Sequence, residues 1–133
     1  MNPIECGLPH RAPFIFIDEV TGVTPGDSAT AVKTFQPDEP FFAGHFPGDP
    51  LVPGVILTEA MAQTAGIAAG SPGRTFHLAA LKMVKFLRPV RPLDRIEFTA
   101  KKLAEAGGLI QFQTSASVQG TPVAEGVLIL SGV

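Results

Sequence analysis

Three residues in FFAGHFPGDPLVPGVILTEAMAQ (41–63), His45, Gly54 and Glu59, are of types that move protons or stabilise charge. Histidine titrates near neutrality and is the usual general base. His45 lies in GHFPGDP, where glycines and prolines restrict the backbone and would hold an imidazole in place. Glu59 stands alone in an apolar run. A carboxyl in such surroundings is costly to ionise, and a neutral carboxyl can donate a proton. Gln63, four residues later, falls on the same helical face and could orient it. Gly54 follows Pro53 at the start of the run. Free N–H groups and the positive dipole end at a helix start would polarise a carbonyl there as an oxyanion hole does, and glycine permits close approach. A base, an acid and an amide-rich helix tip suit proton abstraction beside a carbonyl. Each also has a plain structural alternative: Glu59 reaching solvent or an interface, His45 satisfying loop backbone, and Gly54 merely permitting the turn.

The elements that would position these residues follow from punctuation and periodicity. The 13 prolines are about twice the usual share and cluster at 37–53, 72 and 89–92. FIFIDEV (14–20) reads as a strand, TPGD (24–27) as a turn and SATAVKTF (28–35) as the next strand. Residues 36–53, with five prolines and three aromatics, form a long irregular loop of a length that compact domains keep for a purpose. GVILTEAMAQTAGIAAG (54–70) then reads as a helix, with Pro53 tolerated at its start and Gly70 as a C-cap. After SPGR come four strands at 76–88, 95–103, 109–118 and 122–131, with hairpin turns at AGG (106–108) and QGTP (119–122). The third alternates Ile110, Phe112, Thr114, Ala116 and Val118 with polar residues, the signature of a half-buried antiparallel strand. The helix carries only Thr58, Glu59, Gln63 and Thr64 as polar residues, so its surroundings must be apolar nearly all round. The expected class is α+β, a long antiparallel sheet wrapped around one central apolar helix, an arrangement compatible with the hotdog fold.

Composition bounds the function. The 133 residues fit a single domain spanning 1–133, and 45% hydrophobic residues can bury one helix under one sheet. Ten Lys and Arg against 12 Asp and Glu argue against a broad nucleic-acid footprint. Cys6 is alone and can form no internal disulfide, which leaves the compartment unconstrained, with the cytoplasm favoured. The opening MNPIECGLPHRAPF lacks signal-peptide features, and the longest apolar stretch is too short and polar to span a bilayer. Dispersed histidines give no metal site, and phosphate-loop, dinucleotide and nucleophile-elbow motifs are missing. His10 is expected to order the N-terminal turn, and His77 to lead a strand and line a pocket.

LPHRAPFIFIDEV, EPFFAGHFPGDPLVPGVILTEAMAQ and FLRPVRPLD together resemble the β-hydroxyacyl-acyl-carrier-protein dehydratases of bacterial type II fatty-acid synthesis, the FabZ type, over nearly the whole chain. The resemblance implies a hotdog fold, dimerising into a double hotdog with active sites shared between subunits, or assembling further into a trimer of dimers. It places the catalytic histidine on His45 and the catalytic glutamate, donated by the partner chain, on Glu59. The thioester carbonyl would meet the amide of Gly54, with Pro53, Gly44 and Gln63 supporting the site. The related dehydratase-isomerase branch, FabA, has aspartate where Glu59 stands, which favours the plain dehydratase. The implied reaction converts a (3R)-hydroxyacyl thioester to a trans-2-enoyl thioester and water without a cofactor. Its partner is an acyl carrier protein bearing a phosphopantetheine-linked acyl chain. Phe42, Phe46, Val55 and Phe86 are candidates for the acyl channel, and Lys82, Lys85 and Arg88 for docking the acidic carrier. Lys82 stands where an acidic residue is common, Leu87 where a basic one is frequent, and Ala12 and His77 where tyrosine is usual. These departures bear on substrate length, gating and carrier identity. A hotdog thioesterase and a non-catalytic carrier-binding subunit are the alternatives to the dehydratase.

Overall fold

The computed structural model describes residues 1–70 and 73–132. The chain runs β1 (Glu19–Thr24), β2 (Ser28–Thr34), a short 3-10 turn (Pro40–Ala43), α1 (Gly54–Ala68), β3 (Phe76–Phe86), β4 (Arg95–Ala106), β5 (Leu109–Val118) and β6 (Thr121–Gly132). The strands form one antiparallel sheet in the order β1-β2-β4-β5-β6-β3, so β3 is an edge although it follows the helix in sequence. β4, β5 and β6 make a meander whose tight turns place Gly107, Gly108, Gln119 and Gly120 at positive φ. The alternation read in β5 is realised: Ile110, Phe112, Thr114 and Ala116 face inward, and the Thr114 hydroxyl donates to the Gly126 carbonyl at 2.8 Å.

The sheet curls around α1, the hotdog arrangement expected from the apolar helix. Leu57, Met61 and Ala62 pack with Phe16, Phe35, Ile96, Phe98 and Leu128. The second half of the helix, through Ala65, Ile67 and Ala68, meets Leu8, Val20, Phe112 and Leu130. Burying each large apolar side chain contributes about 1.5–3 kcal/mol, so the two clusters pin the helix at both ends. Two of the polar residues of α1 close on their own helix. The hydroxyls of Thr58 and Thr64 donate to the carbonyls of Gly54 and Ala60, both at 2.9 Å. Pro53 occupies the N-cap, and Gly70 lies just past the C-cap Ala69 at φ +65. There a Cβ would come within 2.6 Å of the Gly26 amide, so glycine permits both the helix stop and its contact with the β1–β2 turn. That turn is tied to β4 by Lys101 Nζ, which donates to both Asp27 oxygens at 2.8 and 2.7 Å and holds the carboxyl below its usual range.

One strand expectation is corrected. The first strand starts at Glu19, so FIFIDEV enters it only at its last two residues. Residues 14–16 instead form part of a strap across α1, because the Phe14 carbonyl and Phe16 amide bond to the Gln63 side chain rather than to a neighbouring strand. The SPGR turn falls partly outside the described residues, at 71 and 72.

The helix is most exposed in its first turn. Val55 is 76% exposed, and it borders a groove with Thr58, Glu59, Leu78, Leu81, Val84 and Phe86. Leu78, Leu81, Met83, Phe86 and Leu87 are also exposed, so the β3 edge presents an apolar face.

Candidate active site

The loop before α1 is ordered by its own backbone. The amide of Leu51 donates to the His45 carbonyl at 2.9 Å, and the amides of Phe46 and Asp49 exchange bonds with each other's carbonyls at 3.0 and 2.9 Å. The Val52 amide ties the loop to Val90 at 2.7 Å, and Arg91 Nη1 donates to Asp49 Oδ1 at 2.7 Å. Gly44 caps the preceding 3-10 turn, its amide turned back to Phe41 and Phe42. Within this frame His45 Nδ1 lies 2.9 Å from the Leu51 carbonyl. A carbonyl only accepts, so Nδ1 carries the hydrogen and Nε2 of the neutral ring is left as the basic nitrogen.

His45 lines a cavity with Leu51, Val52, Gly54, Leu57, Phe86, Leu87, Arg88, Pro89 and Val90. The Gly54 amide belongs to the first helical turn and has no acceptor within the helix. The ring of Phe86 lies against Gly54 so closely that a Cβ would sit 2.9–3.1 Å from three ring carbons. A side chain at this position would have to push the Phe86 ring aside. This cavity thus joins a basic imidazole nitrogen, an unpaired amide at the positive end of a helix and an aromatic wall, groups suited to abstracting a proton beside a polarised carbonyl.

Glu59 lies outside that cavity. It borders the Val55 groove on one side and, on the other, a second cavity lined by Cys6, Leu8, His10, Gln63, Arg74 and Phe76 among others. Gln63 Nε2 donates to Glu59 Oε2 at 2.9 Å and to the Phe14 carbonyl at 3.1 Å, while its Oε1 accepts from the Phe16 amide at 3.0 Å. At 1% exposure, Gln63 is a fully satisfied buried amide whose orientation is imposed by Phe16. The predicted pairing of Gln63 with Glu59 is present. Unanticipated is His10, whose Nε2 lies 3.5 Å from Glu59 Oε2; it was expected only to order the N-terminal turn. Its separation from Glu59 along the chain leaves no periodic signal that could have revealed the contact.

The remaining candidates divide. Phe86 borders both the histidine cavity and the glutamate groove, and Val55 the groove. Phe42 borders neither: at 4% exposure it belongs to the core with Phe35 and Phe98, since its 3-10 turn rotates it inward. Phe46 stacks on His45 with centroids 4.1 Å apart and faces the Pro37–Pro50 side of the loop rather than the cavity. Lys82, Lys85 and Arg88 are exposed, and Arg88 edges the histidine cavity. His77 is exposed on β3 and borders none of these cavities. Among the described residues no group of three or more His, Cys, Asp or Glu side chains is placed to hold a metal ion, and no helix is long and apolar enough to cross a membrane.

A sheet curled round one helix, with chemistry at the helix tip and flank, defines a hotdog domain. Solved structures agree on the fold. The dehydratase heterocomplex ApeI:P from Xenorhabdus doucetiae superposes with a TM-score of 0.82 at 20% identity, over 98% of this chain and 91% of that one. The HP0420 homologue from Helicobacter felis superposes with a TM-score of 0.76 at 18% identity, over 97% and 88%. The model of the FabA-like domain family matches residues 8–130, and the chain belongs to that family. Among its relatives are proteins named 3-hydroxyacyl-[acyl-carrier-protein] dehydratase FabZ. The one from Rhizobium etli (strain CIAT 652) is 40% identical over 122 residues, 89% of this chain and 79% of the relative. The one from Shewanella sp. (strain MR-4) is 42% identical over 124 residues, 87% and 80%.

Proposed function

We propose that this chain dehydrates 3-hydroxyacyl-acyl-carrier-protein thioesters in fatty-acid biosynthesis, with His45 as base, Glu59 as acid and the Gly54 amide as the carbonyl-binding group. The observation that carries the reading is the shared cavity of His45 and Gly54, in a chain about 40% identical to FabZ dehydratases. The thioester carbonyl accepts from the Gly54 N–H, which acidifies the adjacent C–H. His45 Nε2 takes that proton, and the enolate charge is held at the helix tip. Glu59 then protonates the 3-hydroxyl, the C–O bond breaks, and water leaves as the trans-2-enoyl thioester forms. The proton on His45 and the one lost by Glu59 balance through exchange with solvent. No step calls for a cofactor.

The acid comes from a second copy of the chain. Within one chain, His45 and Glu59 open into different cavities with Phe86 between them, which supports a site completed in trans. The unpaired edge of β3 and its apolar face, with Val55 and Glu59 in the adjoining groove, fit a two-fold partner. Lys82, Lys85 and Arg88 offer charge of the right sign to an acidic carrier beside the histidine cavity.

Incubation of the chain with 3-hydroxyacyl-carrier substrates of graded chain length, followed by mass spectrometry, tests the reaction: loss of water from one or more substrates is expected. Free thiol in place of the enoyl product would instead mark a thioesterase. Mixing two inactive variants, His45→Ala and Glu59→Gln, under conditions of subunit exchange tests the shared site. Half the dimers would be mixed, each with one intact site, so about a quarter of parental activity should return. No recovery would place both groups in one chain.

A further inference from the structure

We infer that His10 is a positioning residue for Glu59: His10 and Gln63 converge on one carboxyl oxygen and so assign the acid proton to the other. The inference rests on the reading of Glu59 as the acid. His10 lies on the N-terminal strap, whose turn is braced by Arg11 Nη1 donating to the carbonyls of Leu8, Pro9 and His10 at 3.0, 3.1 and 2.7 Å. Its ring stacks on Phe14 at 6.0 Å with an interplanar angle of 21°. The side chain is therefore held between the braced turn and an aromatic face, pointing at α1.

Two hydrogen assignments follow from the geometry. The Nδ1 atom of His10 is buried with no hydrogen-bond partner among the described residues. A buried unpaired N–H is the more costly orphan, so the neutral ring carries its hydrogen on Nε2, the atom facing Glu59. Gln63 cannot be turned over, because its Oε1 must accept from the Phe16 amide; its NH₂ therefore faces Glu59. Two N–H donors thus approach Oε2, Gln63 at 2.9 Å and His10 at 3.5 Å. No hydrogen bond reaches Oε1 among the described residues. In the acid form of the carboxyl the accepting oxygen is the carbonyl one, which leaves Oε1 as the oxygen that carries the proton in that form. At 3.5 Å the His10 contact is longer than the hydrogen bond from Gln63.

His10 and the apolar groove flank Glu59 on different sides: His10 lines the cavity with Cys6 and Arg74, and is not among the residues of the Val55 groove. It therefore acts on Glu59 and not on an acyl chain in that groove. Of the charged side chains nearby, Arg74 lines the same cavity and Arg11 is engaged with the strap carbonyls.

The test compares His10→Phe, His10→Asn and His10→Gln with the parent chain, each confirmed folded by its thermal midpoint. His10→Phe keeps the stacking but has no donor, Asn is too short to reach Oε2, and Gln restores an N–H. Loss of the donor should lower kcat about tenfold with KM within about twofold, and Gln should recover most of it. In a Glu59→Asp background, whose shorter carboxyl is out of reach, His10→Phe should have no further effect on kcat. A kcat within twofold of the parent, or an equal loss in both backgrounds, overturns the inference. A second readout needs no turnover: in a chain labelled with ¹³C at glutamate carboxyls, the Glu59 resonance, identified by its loss in Glu59→Gln, should shift in His10→Phe and return in His10→Gln. An unshifted resonance overturns the inference whatever the activity. A shifted resonance in a chain that dehydrates no 3-hydroxyacyl thioester supports the contact and overturns the dehydratase reading.

Discussion

His45 is held by main chain: the Leu51 carbonyl accepts from Nδ1, and the loop around it is closed by amide–carbonyl bonds to residues 46, 49 and 90. Glu59 is held by a side chain, Gln63, which is itself anchored to the N-terminal strap at Phe14 and Phe16, and His10 of that strap lies 3.5 Å from the carboxyl. The contrast implies different tolerances. An imidazole set by backbone survives most changes to its neighbours' side chains, whereas a carboxyl set by side chains depends on single substitutable groups.

Removing either group proposed to react should be the most damaging change. His45→Ala and Glu59→Gln are each expected to lower kcat/KM about 10³-fold, and thermal midpoints should stay within about 4 °C of the parent because neither side chain belongs to the core. An active Glu59→Gln chain would eliminate the acid role. Next, Gln63→Leu strips one buried amide of its bonds to Phe14, Phe16 and Glu59. Urea unfolding should show a loss of about 3 kcal/mol, accompanied by a 10- to 100-fold fall in kcat of roughly that range for an orienting partner. Stability unchanged by Gln63→Leu would mean the strap is not anchored there. Smaller again, Gly54→Ala must displace the Phe86 ring from the helix tip. About a tenfold loss of activity is expected, with less than about 1 kcal/mol in stability because the Phe86 ring is half exposed and can swing away. The smallest effect belongs to Asp49→Ala on the histidine side. Its ion pair with Arg91 is exposed on both partners, so about 0.5 kcal/mol and less than twofold in kcat are expected. If Asp49→Ala proved as damaging as Gln63→Leu, the distinction between backbone-held and side-chain-held halves would fail.

Much of the fold was legible because its signals are local. Period-two alternation in β5, glycine-bearing turns on both sides of it and an apolar run opened by Pro53 each depend on residues within a few positions of one another. FIFIDEV shows the limit. Its neighbouring residues Phe16 and Ile17 are both buried while Phe14 is exposed, which is not a strand's alternation, and the Phe14 carbonyl and Phe16 amide bond to Gln63, forty-nine and forty-seven residues away. Phe42 shows another: an aromatic next to a reactive loop is equally at home in a channel or a core, and only the 3-10 turn decides. The candidate site was legible as a set of residue types, His45, Gly54, Glu59 and Gln63, and not as a geometry, since His45 with Gly54 and Glu59 with Gln63 open into different cavities.

The amino-acid order alone determined that a buried helix would carry one carboxyl, that a proline-bounded loop would carry one imidazole, and that a glycine would stand at the helix tip, since composition and short-range periodicity suffice for those statements. Which cavity each group enters, which carboxyl oxygen is engaged and that His10 is a neighbour at all were decided by folding. Those relations join segments far apart in the chain, and such contacts are set by how the sheet closes on the helix rather than by any local preference.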